Sequence, residues 1–432
     1  MSISIARVWD KLLENEARLK NLSISLFSIY CFTAGIYQFP SLQIDVDTVL
    51  LVKRLILIAA LAHMILCVKW QDALIKNMLR IFAAWALFLV FIFFVHGNFS
   101  GVIFKIVQSL SVLIIICFFV QNFFYVKRFF NIYYLIFPTF IFCLLLVLVS
   151  FFLFEDVHFL VRNGFGGNRV NFSIWLSQFT VLISAMWCFG SLIPFRNSKW
   201  QFLSYVAHTL PIVFLQIASG GRLGLFVSFL TIFTSTFYKF KSFLRQIIVM
   251  VGGSAILLVI YLFSSPRSTL PIDSHSIFRG LDKFSRTRDL SLSNADFYFE
   301  LFDLLTSFRL SLLVEGVRAF DLKIFLLGSG FGKFQVINNQ GLPQQVHNVF
   351  LNSLGEIGIL GFLLFCFVIL FPFFYLRNSE NTKAIKMGLG VWFVQAWFQP
   401  EFFYSQIGSS ICFWVIFAYS LRIIFKVSDN NY

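Results

Sequence analysis

Residues 347–375 read HNVFLNSLGEIGILGFLLFCFVILFPFFY, a histidine–asparagine pair followed by an apolar run whose single charge is Glu356. At about 1.5 Å of rise per residue, a helix over 348–375 is longer than the roughly 30 Å hydrocarbon core of a bilayer. Several other runs of about 20 apolar residues have the same character. Only 12% of the 432 residues are charged and 59% are hydrophobic, and the mean hydropathy is +0.83. A soluble domain carries about 25% charged residues to keep its surface wet. Lipid is therefore the solvent for most of these side chains, and the sequence predicts an all-α polytopic membrane protein, one integral membrane domain over residues 1–432.

About twelve transmembrane helices are predicted, near 22–39, 49–68, 79–96, 102–120, 133–154, 172–193, 203–217, 222–238, 246–263, 348–375, 383–399 and 407–426. Alternate connections hold the basic residues: Lys69, Lys76 and Arg80; Lys127 and Arg128; Arg196 and Lys199; Lys239, Lys241 and Arg245; Arg377, Lys383 and Lys386. The opposite connections at 40–48, 97–101 and 400–406 contain no lysine or arginine. The positive-inside rule then puts both termini in the cytoplasm. The first 20 residues are too charged for a cleaved signal peptide and read as a short amphipathic helix on the membrane surface. The seven cysteines lie in apolar runs without a CxxC pair and read as small buried hydrophobes. The formal charge of +14 comes with no nucleic-acid motif and reports topology instead.

One outward connection is far longer than the rest. Residues 264–346, between predicted spans nine and ten, carry nine basic and eight acidic residues. Loops beyond about 12–15 residues are usually functional or disordered, and ADFYFELFDLLTSFRLSLLVEGVRAF (295–320) has helical spacing of its apolar positions. A partly helical cap on the outer surface is expected.

Cations on the outer side depart from the topology rule and mark candidate sites. Arg162 and Arg169 lie in RNGFGGNRVN; Lys53, Arg54 and Lys105 lie near the outer ends of their spans; Arg222 opens a span in SGGRLGLF. Gly220 and Gly221 let the chain turn tightly there, the first amides of the next helix carry partial positive charge, and a guanidinium grips phosphate oxygens bidentately. Snorkelling to lipid phosphates is the plainer alternative for each. His347 either caps span ten or acts as a base at the membrane face, since an unperturbed imidazole titrates near 6.5. The other five histidines show no metal-ligand spacing, and neither metal nor cofactor is expected. Glu356 is nine residues from His347, half a turn away on a regular helix. Unless Gly355 and Gly358 distort that helix, Glu356 is expected to satisfy a neighbouring span.

The outward S-G-x-R turn, the loop segment SFRLSLLVEGVRAF with LLGSGFGKF, and HNxxLxxLGExGxLG together resemble the O-antigen ligase and O-antigen polymerase family of bacterial membrane glycosyltransferases. The resemblance covers motifs over residues 160–426 and leaves the first four spans without one. It implies a GT-C-like fold in the bacterial inner membrane, a periplasmic active face, no metal, and a glycan donor linked by diphosphate to undecaprenol. It also implies that Arg222 and Arg309 contact the diphosphate, with Arg169 as a further donor contact, and that His347 activates the acceptor hydroxyl. Arg288, Asn348 and Glu356 are secondary candidates. Arg286 and Arg288 compete with Arg309 for the loop-arginine role, and the aliphatic run Leu310–Val314 departs from the aromatic residue the family often places there. A polymerase adding the growing chain to a lipid-linked repeat unit is the first reading, with a ligase acting on lipid A-core as the alternative. A lipid-linked glycan flippase or transporter is the rival from another class. Expected partners are the lipid-linked oligosaccharide, surrounding membrane lipid, and a chain-length regulator and flippase of the same pathway.

Overall fold

The computed structural model describes residues 2–33, 46–122, 198–219, 222–239, 309–337, 343–346, 348–377, 380–396 and 407–425, with scattered positions between 125 and 187. Its elements are α1 (Ser2–Thr33), α2 (Val46–Cys67), α3 (Ala73–His96), α4 (Phe99–Gln121), α5 (Ser198–Ser219), α6 (Arg222–Lys239), α7 (Arg309–Arg318), α8 (Leu322–Leu327), β1 (Gln335–Ile337), β2 (Pro343–Gln345), α9 (Val349–Tyr375), α10 (Glu380–Ala396) and α11 (Ile407–Ile424). Among the described residues, α2, α3, α4 and α9 are long and apolar enough to cross a membrane. Predicted spans five and nine lie outside the described residues, and only part of span six falls within them.

Local chemistry sets the boundaries. Asp72 caps α3 by accepting from the Leu74 amide at 2.8 Å, six residues before the predicted span begins. At the far end Gly97 is left-handed (φ 68°) and its N–H reaches Phe93 O, closing the helix. Asn98 then caps α4 by accepting from the Gly101 amide at 3.1 Å. Two residues thus reverse the chain between α3 and α4. The expected surface helix is instead the start of α1, because no glycine or proline interrupts residues 2–33.

One end of the bundle carries the α2–α3 connection and the end of α4; Lys127, Arg196, Lys241 and Arg245 of the other basic connections lie outside the described residues. There Lys69 N donates to Gln121 Oε1 at 2.8 Å, Arg128 Nη1 to Asn21 Oδ1 at 2.5 Å, and buried Arg422 Nη1 to Val120 O at 2.8 Å. The last bond sets a cation at the carbonyl end of α4, where the helix dipole favours it. Elsewhere hydroxyls join the helices: Tyr205 bonds Ser184 and Ser235 at 3.1 and 3.0 Å, Ser228 donates to Thr180 at 3.0 Å, and Trp187 stacks on Tyr205 with centroids 4.1 Å apart. Such Ser/Thr contacts replace the hydrophobic driving force that lipid removes.

At the other end, α7, α8 and the β1–β2 hairpin sit against the start of α9. The antiparallel hairpin pairs Gln335 with Gln345, Val336 with Gln344 and Ile337 with Pro343. It adds a small sheet that the all-α expectation did not contain, and Pro343 opens its second strand. A two-stranded hairpin needs packing to persist in water, and Leu312, Phe334, Val336 and Val346 supply it as a small core separate from that of the bundle.

A candidate site where the loop meets the broken helix

Asn348, not residue 347, caps α9: its Oδ1 accepts from the Leu351 amide at 2.9 Å and its side chain is buried. The capping duty that would have explained His347 is therefore taken by its neighbour, although His347 itself lies outside the described residues. Asn348→Ala should cost about 1 kcal/mol by exposing the helix start, whereas Asn348→Asp keeps an acceptor there. Thermal unfolding in detergent reads this difference, and equal loss in both variants would refute the cap.

The flank of residue 347 is set by packing. Val346 is fully buried beside Leu312 of α7. Gly316, one turn beyond Leu312 on the same face, lies so close that an added Cβ would come within 2.8 Å of Val346 and 2.9 Å of Leu351. Arg309 lies in α7 (Arg309–Arg318), and through Leu312 and Gly316 this helix packs on both sides of the His–Asn pair. Residues 295–308 of the predicted loop helix lie outside the described residues.

Arg222 lies in α6 (Arg222–Lys239), and residues 220–221 before it lie outside the described residues. Helix α6 packs on α5 and on α10, and α10 also packs on α9, with Phe350 and Phe393 centroids 4.8 Å apart. The structure thus links the helix that carries Arg222 to the helix that Asn348 caps through α10. Arg162, Arg169, Arg286 and Arg288 lie outside the described residues. Lys53 and Lys105 are 6% and 8% exposed, whereas Arg54 is exposed.

Glu356 differs from expectation. Helix α9 does not run straight: Gly358 has φ 68° and ψ 179°, breaking the helix there. Glu356 is 3% exposed, and its Oε1 accepts from the Gly332 amide at 2.8 Å. It therefore holds the glycine cluster of the loop. The carbonyls leading into the break are used in the same way. Gly355 O accepts from Ser329 N–H and Oγ–H at 2.8 and 2.9 Å, and Glu356 O accepts from Gly330 N–H at 3.0 Å.

The opposite side of this loop is held by the α3–α4 turn, which carried no recognised motif. His96 Nε2 donates to Leu327 O at 3.1 Å, Asn98 Nδ2 to Phe331 O at 3.1 Å, and Lys333 Nζ to His96 O at 3.4 Å. Phe331 is buried among Leu89, Ile92, Val102 and Ile357, with Lys105 Nζ 5.7 Å above its ring. No sequence signal ties residues 96–98 to a segment more than 200 positions away.

Residues 206–366 match the family model described as O-antigen ligase. The match runs from within α5 into the second half of α9, and includes Arg222, Arg309, His347, Asn348 and Glu356 but not Arg169. No curated protein matches the chain.

Proposed function

We propose that this chain, a membrane protein of the O-antigen ligase and polymerase family, transfers a glycan from a polyprenyl diphosphate at the periplasmic face of the bacterial inner membrane. The observation that carries the reading is the packing of the Arg309 helix, through Leu312 and Gly316, onto the residues flanking His347. This supports a reading in which the helix that carries Arg309 and the segment that carries His347 serve one site.

In this reading the acceptor hydroxyl attacks the anomeric carbon and His347 takes its proton. The bond from that carbon to the diphosphate oxygen breaks as the new glycosidic bond forms. Arg222 and Arg309, with Arg169 and Arg288 as further contacts, neutralise the charge that grows on the departing diphosphate. Single displacement predicts inversion. The bundle has room for a hydrocarbon tail: a groove of about 500 Å³ among α3, α4, α9 and α11 is lined by side chains such as Trp85, Phe365 and Phe417.

Arg222→Ala should lower transfer by about 10²–10³-fold while the protein remains inserted. Polymer of near-normal length from that variant would remove Arg222 from the site. The acceptor is a lipid-linked repeat unit if the protein is a polymerase. It is lipid A-core if the protein is a ligase. Deletion separates them: loss of a polymerase leaves core with one repeat unit, loss of a ligase leaves bare core. Movement of lipid-linked glycan across reconstituted vesicles without bond formation would establish the transporter instead.

A further inference from the structure

Two features of α9 have no role in the transfer chemistry: a buried carboxylate at Glu356 and a break at Gly358. They occur within one turn of each other, and both face residues 326–332. An added Cβ at Gly328 would lie 2.3 Å from Glu356 O, and one at Gly358 would lie 2.4 Å from Leu326 O. Backbone thus approaches backbone from both sides, a closeness only glycine permits. Four hydrogen bonds then join Ser329, Gly330 and Gly332 to Gly355 and Glu356. Three use main-chain carbonyls of α9. The fourth is the only one made by an α9 side chain, the Glu356 carboxylate on the Gly332 amide.

Beyond this contact lies the small core of Leu312, Phe334, Val336 and Val346. It reaches α9 through Gly355, where an added Cβ would come within 2.3 Å of the Phe334 ring. The first three turns of α9, α7, the hairpin and the glycine cluster therefore form one packed module. Among the described residues it meets the rest of the bundle at the break in α9, at the α3–α4 turn, and through Val349 and Phe350, the latter against Phe393 of α10.

We infer that Glu356 is a positioning residue: with the broken turn at Gly358 it latches the glycine cluster of the loop, and so sets where the module carrying Arg309 and the His347 segment stands on the membrane bundle. The inference rests on the glycosyl-transfer reading for its consequence, but the latch itself is a structural statement with its own readout. Glu356 has no part in proton transfer in this scheme; it needs only to accept a hydrogen bond.

The test uses the full chain purified in detergent, with amide hydrogen exchange over residues 326–337 followed beside transfer from a polyprenyl-diphosphate glycan. Glu356→Ala should speed exchange at the Gly332 amide and lower transfer by about 10²-fold, the scale expected when a reacting group is misplaced by about 1 Å. Glu356→Gln keeps an acceptor oxygen and should restore both slow exchange and most of the transfer. Asn98→Asp is the second variant, because it keeps the α4 cap but loses the donor to Phe331 O; it should loosen the same peptide from the opposite side. Unchanged exchange in Glu356→Ala would overturn the latch. So would a Glu356→Gln variant with slow exchange and no transfer, which would show that the charge acts on the substrate. If exchange responds as expected but the wild-type protein transfers no glycan, the latch is supported and the glycosyl-transfer reading is the one that fails.

Discussion

Glycan transfer by the His347→Ala variant is expected to fall by about 10²–10⁴-fold, the range a positioned general base contributes. His275→Ala, in the same predicted loop, should transfer normally. The contrast matters because the simplest alternative for His347 was a helix cap, and Asn348 already fills that place through its bond to Leu351 N–H. The flank of residue 347 is held firmly, with Val346 buried and Gly316 and Leu312 of α7 packed against it. Membranes from each variant, supplied with lipid-linked glycan and resolved by product length, give the measurement. Equal activity in the two histidine variants would leave the imidazole without a catalytic part.

The second large effect is on stability. Gly358→Ala should destabilise the protein by about 2–6 kcal/mol. Part of this is backbone strain, since φ 68° with ψ 179° lies in a region essentially reserved for glycine, costing about 1–3 kcal/mol. The remainder is overpacking, because the new methyl would press on Leu326 O, at about 1–3 kcal/mol. Gly390→Ala is the control: it lies within α10, and nothing is within 4 Å of its added Cβ. Alanine there should be neutral or stabilising by about 0.5–1 kcal/mol. Thermal unfolding of both variants in detergent compares them directly. A Gly358→Ala protein that melts with the wild type would mean that α9 passes through this point unbroken.

The two variants also show why helices were easier to read than their contacts. Gly358 and Gly390 look alike in sequence, each set in a mainly apolar helical stretch, and glycine is common in membrane helices. What separates them is a loop segment some thirty positions before Gly358, pressed against one glycine and absent from the other. Glu356 shows the same limit: the expectation of a neighbouring span held unless Gly355 and Gly358 distorted the helix, and the break at Gly358 with the loop amide at Gly332 is that distorted case.

By itself the sequence determined the membrane environment and helices α2, α3, α4 and α9 to within a few residues, except for the polar first turns of α3. These follow from local composition: apolar length and capping side chains act over a few residues and need no partner. Only the tertiary structure decided that α9 is broken, that the glycine cluster is gripped between Glu356 and the His96–Asn98 turn, and that the Arg309 helix shares a core with the flank of residue 347. Those contacts join segments from about 25 to more than 200 positions apart. Their energies depend on shape and hydrogen-bond geometry across space, which periodicity along a chain does not encode.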